Sequence, residues 1–208
     1  MRPPRPGNGA AHPAEAVSKA LCLFTIGHSN HKLERFVELL RGAGVEAVAD
    51  VRTRPVSRFC PQFNKAALES SLSGAGIAYV FMGKELGGRP DDPALYRDGT
   101  ADFEKIAKSE AFREGLELMM ADARKHRVAL MCSEKGPLDC HRCLLVGRAL
   151  GERGVAVQHI LADGSPVSQT QIEEELLAGS SDDLFAPREE RLAAAYRARA
   201  SKVAFAKK

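Results

Sequence analysis

The sequence predicts an α/β fold: a three-layer, open, mainly parallel sheet of about five strands with helices on both faces, plus a C-terminal helical appendage. Short apolar runs alternate along the chain with segments whose apolar residues follow helical spacing. This alternation is typical of right-handed crossover units, and there are too few units for a TIM barrel. The chain has 208 residues, 44% of them apolar, which suffices for a sizeable core and excludes a disordered chain.

The predicted elements follow from these runs in chain order. Apolar runs predict strands over residues 21–26, 45–51, 77–81, 128–132 and 155–161. Spacing of i, i+3, i+4, i+7 predicts helices over 33–40, around 67–72, over 103–125 with a break near Ser109, and over 140–153. Two further helices, over 172–177 and 188–206, follow the last strand.

We divide the chain into a flexible lead-in over 1–18, an α/β domain over 19–165, and a helical, basic appendage over 166–208. The lead-in is rich in Pro, Gly and Ala and has no periodicity. Residues 187–208 contain seven Lys and Arg against two Glu. Such a tail can bind a polyanion weakly through phosphate contacts, although a solvated helix end is the simpler interpretation.

Composition also limits the cellular setting. No apolar run is long enough to cross a bilayer, and no apolar signal core follows Arg2 and Arg5. The five cysteines are an odd number and do not form a secreted disulfide framework. We therefore expect a reduced, cytoplasmic protein with no membrane partner.

Polar residues of unusual type follow the ends of the predicted strands. They are Gly27-His28-Ser29 after the first strand, residues 50–58 after the second, and residues 132–142 after the fourth. Because ligands bind beyond the carboxyl ends of parallel strands, we expect these residues to share one cleft. Gly27 permits close backbone approach and suits an anion near a helix start, whereas Ser29 could equally cap that helix.

The second of these loops indicates anion binding. Arg52 and Arg58 lie close to Asp50 at the strand end, together with Arg54. A guanidinium holds a carboxylate or phosphate through paired hydrogen bonds, and Asp50 would orient one of the arginines. A surface ion-pair cluster is the alternative, but Asp50 closes an apolar strand, where an unpaired carboxylate would be costly.

The loop after the fourth strand contains the most reactive groups. Cys132 lies at the strand end, Glu134 follows it, and Cys140 and His141 come where a helix begins. A thiol near a helix start and a cation has a lowered pKa and becomes nucleophilic. In this interpretation Cys132 or Cys140 is a nucleophile or redox thiol, and Glu134, His141 or His28 moves protons.

Three other interpretations of the cysteines stay open. Cys132, Cys140 and Cys143 with a histidine could bind zinc, although the spacing is unfavourable. Cys140 and Cys143 have the spacing of a thioredoxin-like pair, and all three could be small buried thiols. A phosphatase-type loop is disfavoured, since the arginine position of Cys-x5-Arg is occupied by Leu138.

Taken together, these segments resemble the DUF488 family, whose name records an unknown function. The matching segments lie in the family's order over about 20–162: Thr25-Ile26-Gly27-His28-Ser29, Asp50-Val51-Arg52-x-x-Pro55-x-Ser57-Arg58, Leu86-Gly87-Gly88, Met131-Cys132-x-Glu134, Cys140-His141-Arg142 and His159-Ile160. The resemblance implies a compact α/β fold and a shared site that contains His28, Ser29, Asp50, Arg52, Arg58, Cys132, Glu134, Cys140, His141 and Arg142. Cys143 and the appendage lie outside the family pattern, which disfavours the thioredoxin-like pair.

Residues and resemblance together predict an enzyme that acts on a phosphate- or carboxylate-bearing substrate, such as a nucleotide or nucleic-acid component. The expected catalytic residues are Cys132, Glu134, Cys140, His141 and His28. The expected substrate-binding residues are Gly27, Ser29, Asp50, Arg52, Arg58 and Arg142, and no metal or cofactor is assigned. Two alternatives stay open: a non-catalytic nucleic-acid-binding module that uses the same cleft and the basic tail, and a cysteine redox sensor.

Overall fold

A computed structural model describes residues 21–179 and 186–207 of the chain, so the predicted lead-in over 1–18 lies outside the described residues. The described strands are β1 (Cys22–Gly27), β2 (Ala47–Asp50), β3 (Ala78–Phe81), β4 (Tyr96–Arg97), β5 (Thr100–Ala101), β6 (Val128–Cys132), β7 (Ala156–Ile160) and β8 (Pro166–Ser168). The described α-helices are α1 (Leu33–Gly42), α2 (Lys65–Gly74), α3 (Phe103–Lys108), α4 (Glu110–Ala123), α5 (Arg148–Gly151), α6 (Gln169–Ala178) and α7 (Arg188–Val203). A π-helix over Arg142–Gly147 runs directly into α5.

The main sheet confirms the predicted fold class. Its strand order is β3-β2-β6-β1-β7-β8, and the first five of these strands are parallel. The sixth strand, β8, lies antiparallel to β7 and belongs to the segment that the sequence analysis assigned to the appendage. Its hairpin turns at Gly164, whose φ of 100° suits a residue without a side chain.

Helices cover both faces of the sheet. On one face, Phe36 of α1 and Leu68 of α2 pack against Ile26 of β1. On the other face, α3, α4, α5, α6 and α7 and the π-helix share a second apolar cluster with the sheet, in which Phe112 and Leu116 are fully buried. The predicted break near Ser109 is confirmed, because its hydroxyl accepts the Phe112 N–H and so begins α4.

The connections leave a crevice at the carboxyl edge of the sheet. From β1 the chain crosses to β2 through α1, on one face, whereas from β6 it crosses to β7 through the π-helix and α5, on the other face. Since β1 and β6 are neighbours, the loops that leave them diverge, which is where open α/β sheets bind ligands. The register places Gly27 beside Cys132 and Asp50 beside Met131, so the predicted site loops start at the same level.

The C-terminal helices pack on the body of the protein. Tyr196 of α7 is only 2% exposed, and its hydroxyl accepts a hydrogen bond from the buried Gln169 side chain. Beyond α7, the Phe205 carbonyl accepts the Ala101 N–H and the Lys207 N–H donates to the Gly99 carbonyl, so the chain end joins the β4–β5 hairpin. No helix within the described residues is long and apolar enough to span a membrane.

Candidate active site

A cleft of about 330 Å³ opens at the carboxyl ends of β2 and β6. Its floor is formed by four side chains, namely Cys132, Glu134, Cys140 and His141, which we call the floor cluster. Its walls are the loop after β2, the Gly88-Arg89 turn and the chain end after α7, and they contribute Arg52, Thr53, Arg54, Val56, Ser57, Gly88, Arg89, Val203 and Phe205. The volume and the polar lining are those of a site for a small, polar ligand.

The floor cluster brings two thiols, a carboxylate and an imidazole into contact. The sulfurs of Cys132 and Cys140 each lie 3.0 Å from the same oxygen, Oε2 of Glu134. His141 Nδ1 lies 3.6 Å from the Cys132 sulfur and 3.9 Å from the Cys140 sulfur. The turn over residues 133–139 therefore brings Cys132 and Glu134 together with Cys140 and His141.

The orientation of His141 is fixed from both sides. Its Nε2–H donates to the carbonyl of Val51 at the end of β2, at 3.0 Å, which leaves Nδ1 facing the thiols. Gly88 packs against the ring, since a Cβ built there would lie 2.8 Å from the imidazole Cγ. The Leu86-Gly87-Gly88 turn of the sequence pattern thus makes room for the imidazole.

Charge and burial shift the ionisation of the floor cluster in different directions. Burial raises the pKa of Cys132, as do the neighbouring Cys140 and Glu134. Burial acts the same way on Cys140, but the Cys132 hydrogen bond and the charges of Arg142 and His141 outweigh it and lower the pKa of Cys140 well below its ordinary value. Burial also raises the pKa of Glu134, whereas Cys140 and Glu134 outweigh the effect of burial on His141 and raise its pKa.

Arg142 lies beneath the floor cluster instead of facing a ligand. Its side chain is 1% exposed, and its two terminal nitrogens donate to the carbonyls of Glu134 and Lys135 at 2.7 and 3.1 Å. Gly27 makes this packing possible, because a Cβ there would lie 1.8 Å from the Glu134 carbonyl oxygen. Gly27 and Arg142 therefore shape the site, and neither lines the cleft.

Asp50, Arg52 and His28 form a buried chain of hydrogen bonds that reaches the cleft wall at Arg52. Arg52 donates to both carboxylate oxygens of Asp50, at 2.9 and 2.6 Å, and to the carbonyl of Phe63. Its remaining terminal nitrogen lies 3.1 Å from His28 Nε2. The predicted Asp50–arginine pair is present, but each side-chain nitrogen of Arg52 already has a protein partner.

His28 is a neutral imidazole in this arrangement. Its Nδ1–H donates to the Ser29 carbonyl, its Nε2 accepts from Arg52, and its ring stacks on Phe63 at 4.3 Å between centroids. Burial lowers the pKa of His28 to about 4. Ser29 does not cap α1, since the helix begins at Leu33 with Lys32 in the N-cap position. His28 and Ser29 lie beside the site but do not line the cleft.

The free cations of the cleft are Arg54 and Arg89. Both side chains are exposed and line the cleft, whereas Arg58 is exposed but lies outside the lining. The guanidinium of Arg89 stacks on the ring of Phe205, 4.7 Å from its centroid. Arg54, Arg89 and Phe205 line the cleft but were not among the predicted site residues. The arginine-rich loop after β2 gave a signal for Arg54, whereas nothing local marks Phe205.

Cys143 is separate from the floor cluster. Its thiol lies 3.7 Å from the Gln169 side-chain oxygen, within a buried network that also contains His159 and Tyr196. Burial raises the pKa of Cys143 to about 12. The structure thus pairs Cys140 with Cys132 and Glu134, and the thioredoxin-like alternative with Cys143 does not fit this geometry.

Comparison with known proteins gives one match. The family model of DUF488, described as a domain of unknown function, matches residues 32–149, more than half of the chain. No curated protein and no solved structure matches the chain. The matched range includes the floor cluster, the Asp50–Arg52 pair and the Leu86-Gly87-Gly88 turn. With the fold, the site and the matched range in agreement, the chain belongs to the DUF488 family.

Proposed function

We propose that the protein is an enzyme that acts on a small phosphate- or carboxylate-bearing substrate bound in the cleft. The observation that carries this proposal is the presence of the floor cluster at the base of a cleft whose walls contain two free arginines. Neither Arg54 nor Arg89 forms an ion pair with a carboxylate among the described residues.

The two arginines would hold the anionic group. A guanidinium offers paired donors that match the oxygens of a phosphate or carboxylate. The main chain at Arg89 is fixed, because its N–H donates to the Thr53 hydroxyl at 3.1 Å. The ring of Phe205 supports the Arg89 side chain and offers an apolar surface to the rest of the substrate.

The floor cluster would supply the reacting groups. Its sulfur, carboxylate and imidazole atoms meet within the cleft, and Glu134 lies where it can exchange a proton with a bound substrate or water. Arg52 and His28 would act as positioning residues. Arg52 lines the cleft, but its side-chain nitrogens already bind Asp50, Phe63 and His28 and hold the loop after β2 against β1.

The affinity of the wild type for anions, compared with that of the variants R54A, R89A and R58A, tests this proposal. Titration calorimetry with inorganic phosphate, a nucleoside monophosphate and a dicarboxylate should show binding of at least one probe. Because a charge-assisted pair contributes about 1.5–3 kcal/mol, R54A and R89A should each weaken binding by about 10- to 100-fold. R58A is the matched control, since Arg58 lies in the same loop as Arg54 but outside the cleft.

The R58A control distinguishes specific binding in the cleft from nonspecific attraction of anions by the positive charge of the surface. An R58A affinity within about twofold of wild type supports specific binding in the cleft, since a distant exposed charge is screened within about 10 Å. Equal losses in all three variants, or no binding of any anion, would overturn the proposal.

A further inference from the structure

We infer that the floor cluster is a zinc site, in which the sulfurs of Cys132 and Cys140 and Nδ1 of His141 bind Zn²⁺ and Glu134 lies beside an exchangeable fourth position. This inference deepens the proposed function, on which it rests for the ligand that would reach the metal from the cleft. The three ligand atoms lie within 4.8 Å of one another.

The distances between these atoms suit a tetrahedral ion. Metal–sulfur and metal–nitrogen bonds of about 2.3 and 2.1 Å, at a tetrahedral angle, separate sulfur from nitrogen by about 3.6 Å. The two observed sulfur–nitrogen distances are 3.6 and 3.9 Å. Both sulfur–nitrogen distances therefore fit a bound metal ion with only small shifts of the imidazole, and the two sulfurs lie within 4.8 Å of each other.

The surroundings of the cluster are those of metal ligands. The Nε2–H of His141 donates a hydrogen bond to the Val51 carbonyl. This bond fixes the imidazole with Nδ1 towards the sulfurs. The main-chain N–H of Arg142 points at the Cys140 sulfur, at 3.5 Å, and would stabilise a thiolate there. Gly88 leaves space for the imidazole in this orientation.

The charges also balance around a divalent ion. Two thiolates and the Glu134 carboxylate with Zn²⁺ carry a net charge of −1. Arg142, which is 1% exposed and forms no ion pair with a carboxylate among the described residues, carries +1 beside them. A buried, unpaired guanidinium is costly, so a compensating anionic centre accounts for its position.

The donor set favours zinc over other divalent ions. Thiolate and imidazole ligands in a tetrahedral arrangement are typical of zinc, whereas magnesium and calcium require oxygen ligands. The unfavourable spacing is resolved by the fold, because Arg142 holds the carbonyls of Glu134 and Lys135 and so closes the turn between the two cysteines. Of the ligands that the sequence analysis considered, Cys132, Cys140 and a histidine come together, and Cys143 does not.

Three protein ligands and an exchangeable fourth position are typical of catalytic zinc. That position opens to the cleft, since all four members of the floor cluster line it. Zinc there would activate a water molecule, and Glu134 is placed to accept the proton that the water loses. The hydroxide would form a bond to the phosphorus or acyl carbon of the substrate as the bond to the leaving group breaks, and Glu134 would return the proton to that group. The inference thus points to metal-assisted hydrolysis of an anionic substrate.

Metal analysis of the purified protein tests the inference without any activity assay. After zinc loading and desalting, we expect about one zinc per chain in the wild type, and below one tenth of that in C132A, C140A and H141A. C143A is the matched control and should keep its zinc, because the Cys143 thiol contacts Gln169 instead. E134Q should also keep zinc, and loss of zinc in E134Q would overturn the three-ligand assignment.

A second measurement uses only the wild type, so it tests the inference even if the cysteine and histidine variants fail to fold. Zinc added to the metal-free protein should protect Cys132 and Cys140 from maleimide labelling, as located by mass spectrometry, and leave the labelling of Cys60 unchanged. No bound zinc and no protection would overturn the inference, as would formation of a Cys132–Cys140 disulfide in place of metal binding. Zinc binding without anion binding would instead overturn the proposed function and leave the metal site standing.

Discussion

Gly27 sets the distance between β1 and the turn that follows β6. A side chain at this position would lie 1.8 Å from the Glu134 carbonyl oxygen and 3.1 Å from Arg142 Nη1. We therefore expect G27A to lower the free energy of unfolding by about 2–4 kcal/mol, because backbone atoms cannot move aside easily. Urea unfolding measures this.

The matched control for G27A is Gly74, at the end of α2, where a Cβ would contact nothing within 4 Å. G74A should change stability by less than about 1 kcal/mol, in the stabilising direction, because alanine reduces the entropy of the unfolded chain. Similar losses in G27A and G74A would contradict the account of the β1–turn contact.

His159 makes stability depend on pH. Its ring accepts from the Thr25 hydroxyl at Nδ1 and donates to the Gln169 oxygen from Nε2, so the fold holds it neutral. Burial lowers the pKa of His159 to about 4 from an ordinary 6.5. The unfolded chain therefore binds more protons between these values, and the stabilisation is complete above pH 6.5 and lost as pH falls towards 4.

The expected result is a pH-dependent difference between wild type and H159Q. The advantage of the wild type in free energy of unfolding should shrink by on the order of 2 kcal/mol between pH 7 and pH 4.5. Guanidinium unfolding at several pH values measures it. A difference that does not change with pH would show that His159 is not held neutral.

At the scale of elements, the chain end after α7 forms part of the cleft. Phe205 lines the cleft and supports Arg89, and its carbonyl binds the β4–β5 hairpin. We expect F205A to weaken anion binding by about three- to tenfold, since a desolvated cation–π contact contributes about 0.5–2 kcal/mol to holding the guanidinium. Calorimetry with the anion that the wild type binds measures this change.

Phe59 provides the control for F205A, because it is 93% exposed and lies outside the cleft lining. F59A should bind the anion as wild type does. If F205A also bound normally, the chain end would not contribute to the site.

The basic appendage is less available for polyanions than its composition indicates. Arg188 of α7 pairs with Glu174 of α6, and Arg197 and Arg199 pair with Glu104 and Asp139 of the α/β domain. Weak polyanion binding by this segment stays a proposal. If the segment binds a polyanion, its affinity for a nucleic acid should fall steeply with salt, because released counterions drive such binding. The affinity should also disappear when these three arginines are replaced.

At the scale of the whole molecule, local patterns predicted most of the sheet and the edge that carries the site. Each of the five parallel strands has an apolar run, and the residues after β1, β2 and β6 converge as strand-end reasoning requires. The contacts within the site were harder to predict. The Asp50–Arg52 pair could be predicted from the sequence, whereas the main-chain carbonyls that Arg52 and Arg142 also bind, those of Phe63 and Glu134, come near only in the fold.

Features that depend on long-range packing could not be predicted. The strand β8 has only three residues and is defined by pairing with β7 across the turn at Gly164. Phe205 reaches the cleft because α7 packs on the core through Tyr196, a contact without a sequence pattern. The π-helix that begins at Arg142 is a third such feature, since no local pattern distinguishes it from an α-helix.

The central claim is that an anion binds in the cleft above the floor cluster. A crystal structure of the protein in the presence of inorganic phosphate tests it most directly. The account predicts phosphate within hydrogen-bond distance of Arg54 and Arg89, on the cleft side of Glu134. Phosphate bound only elsewhere, for example along α7, with no anion in the cleft at a saturating concentration, would contradict it.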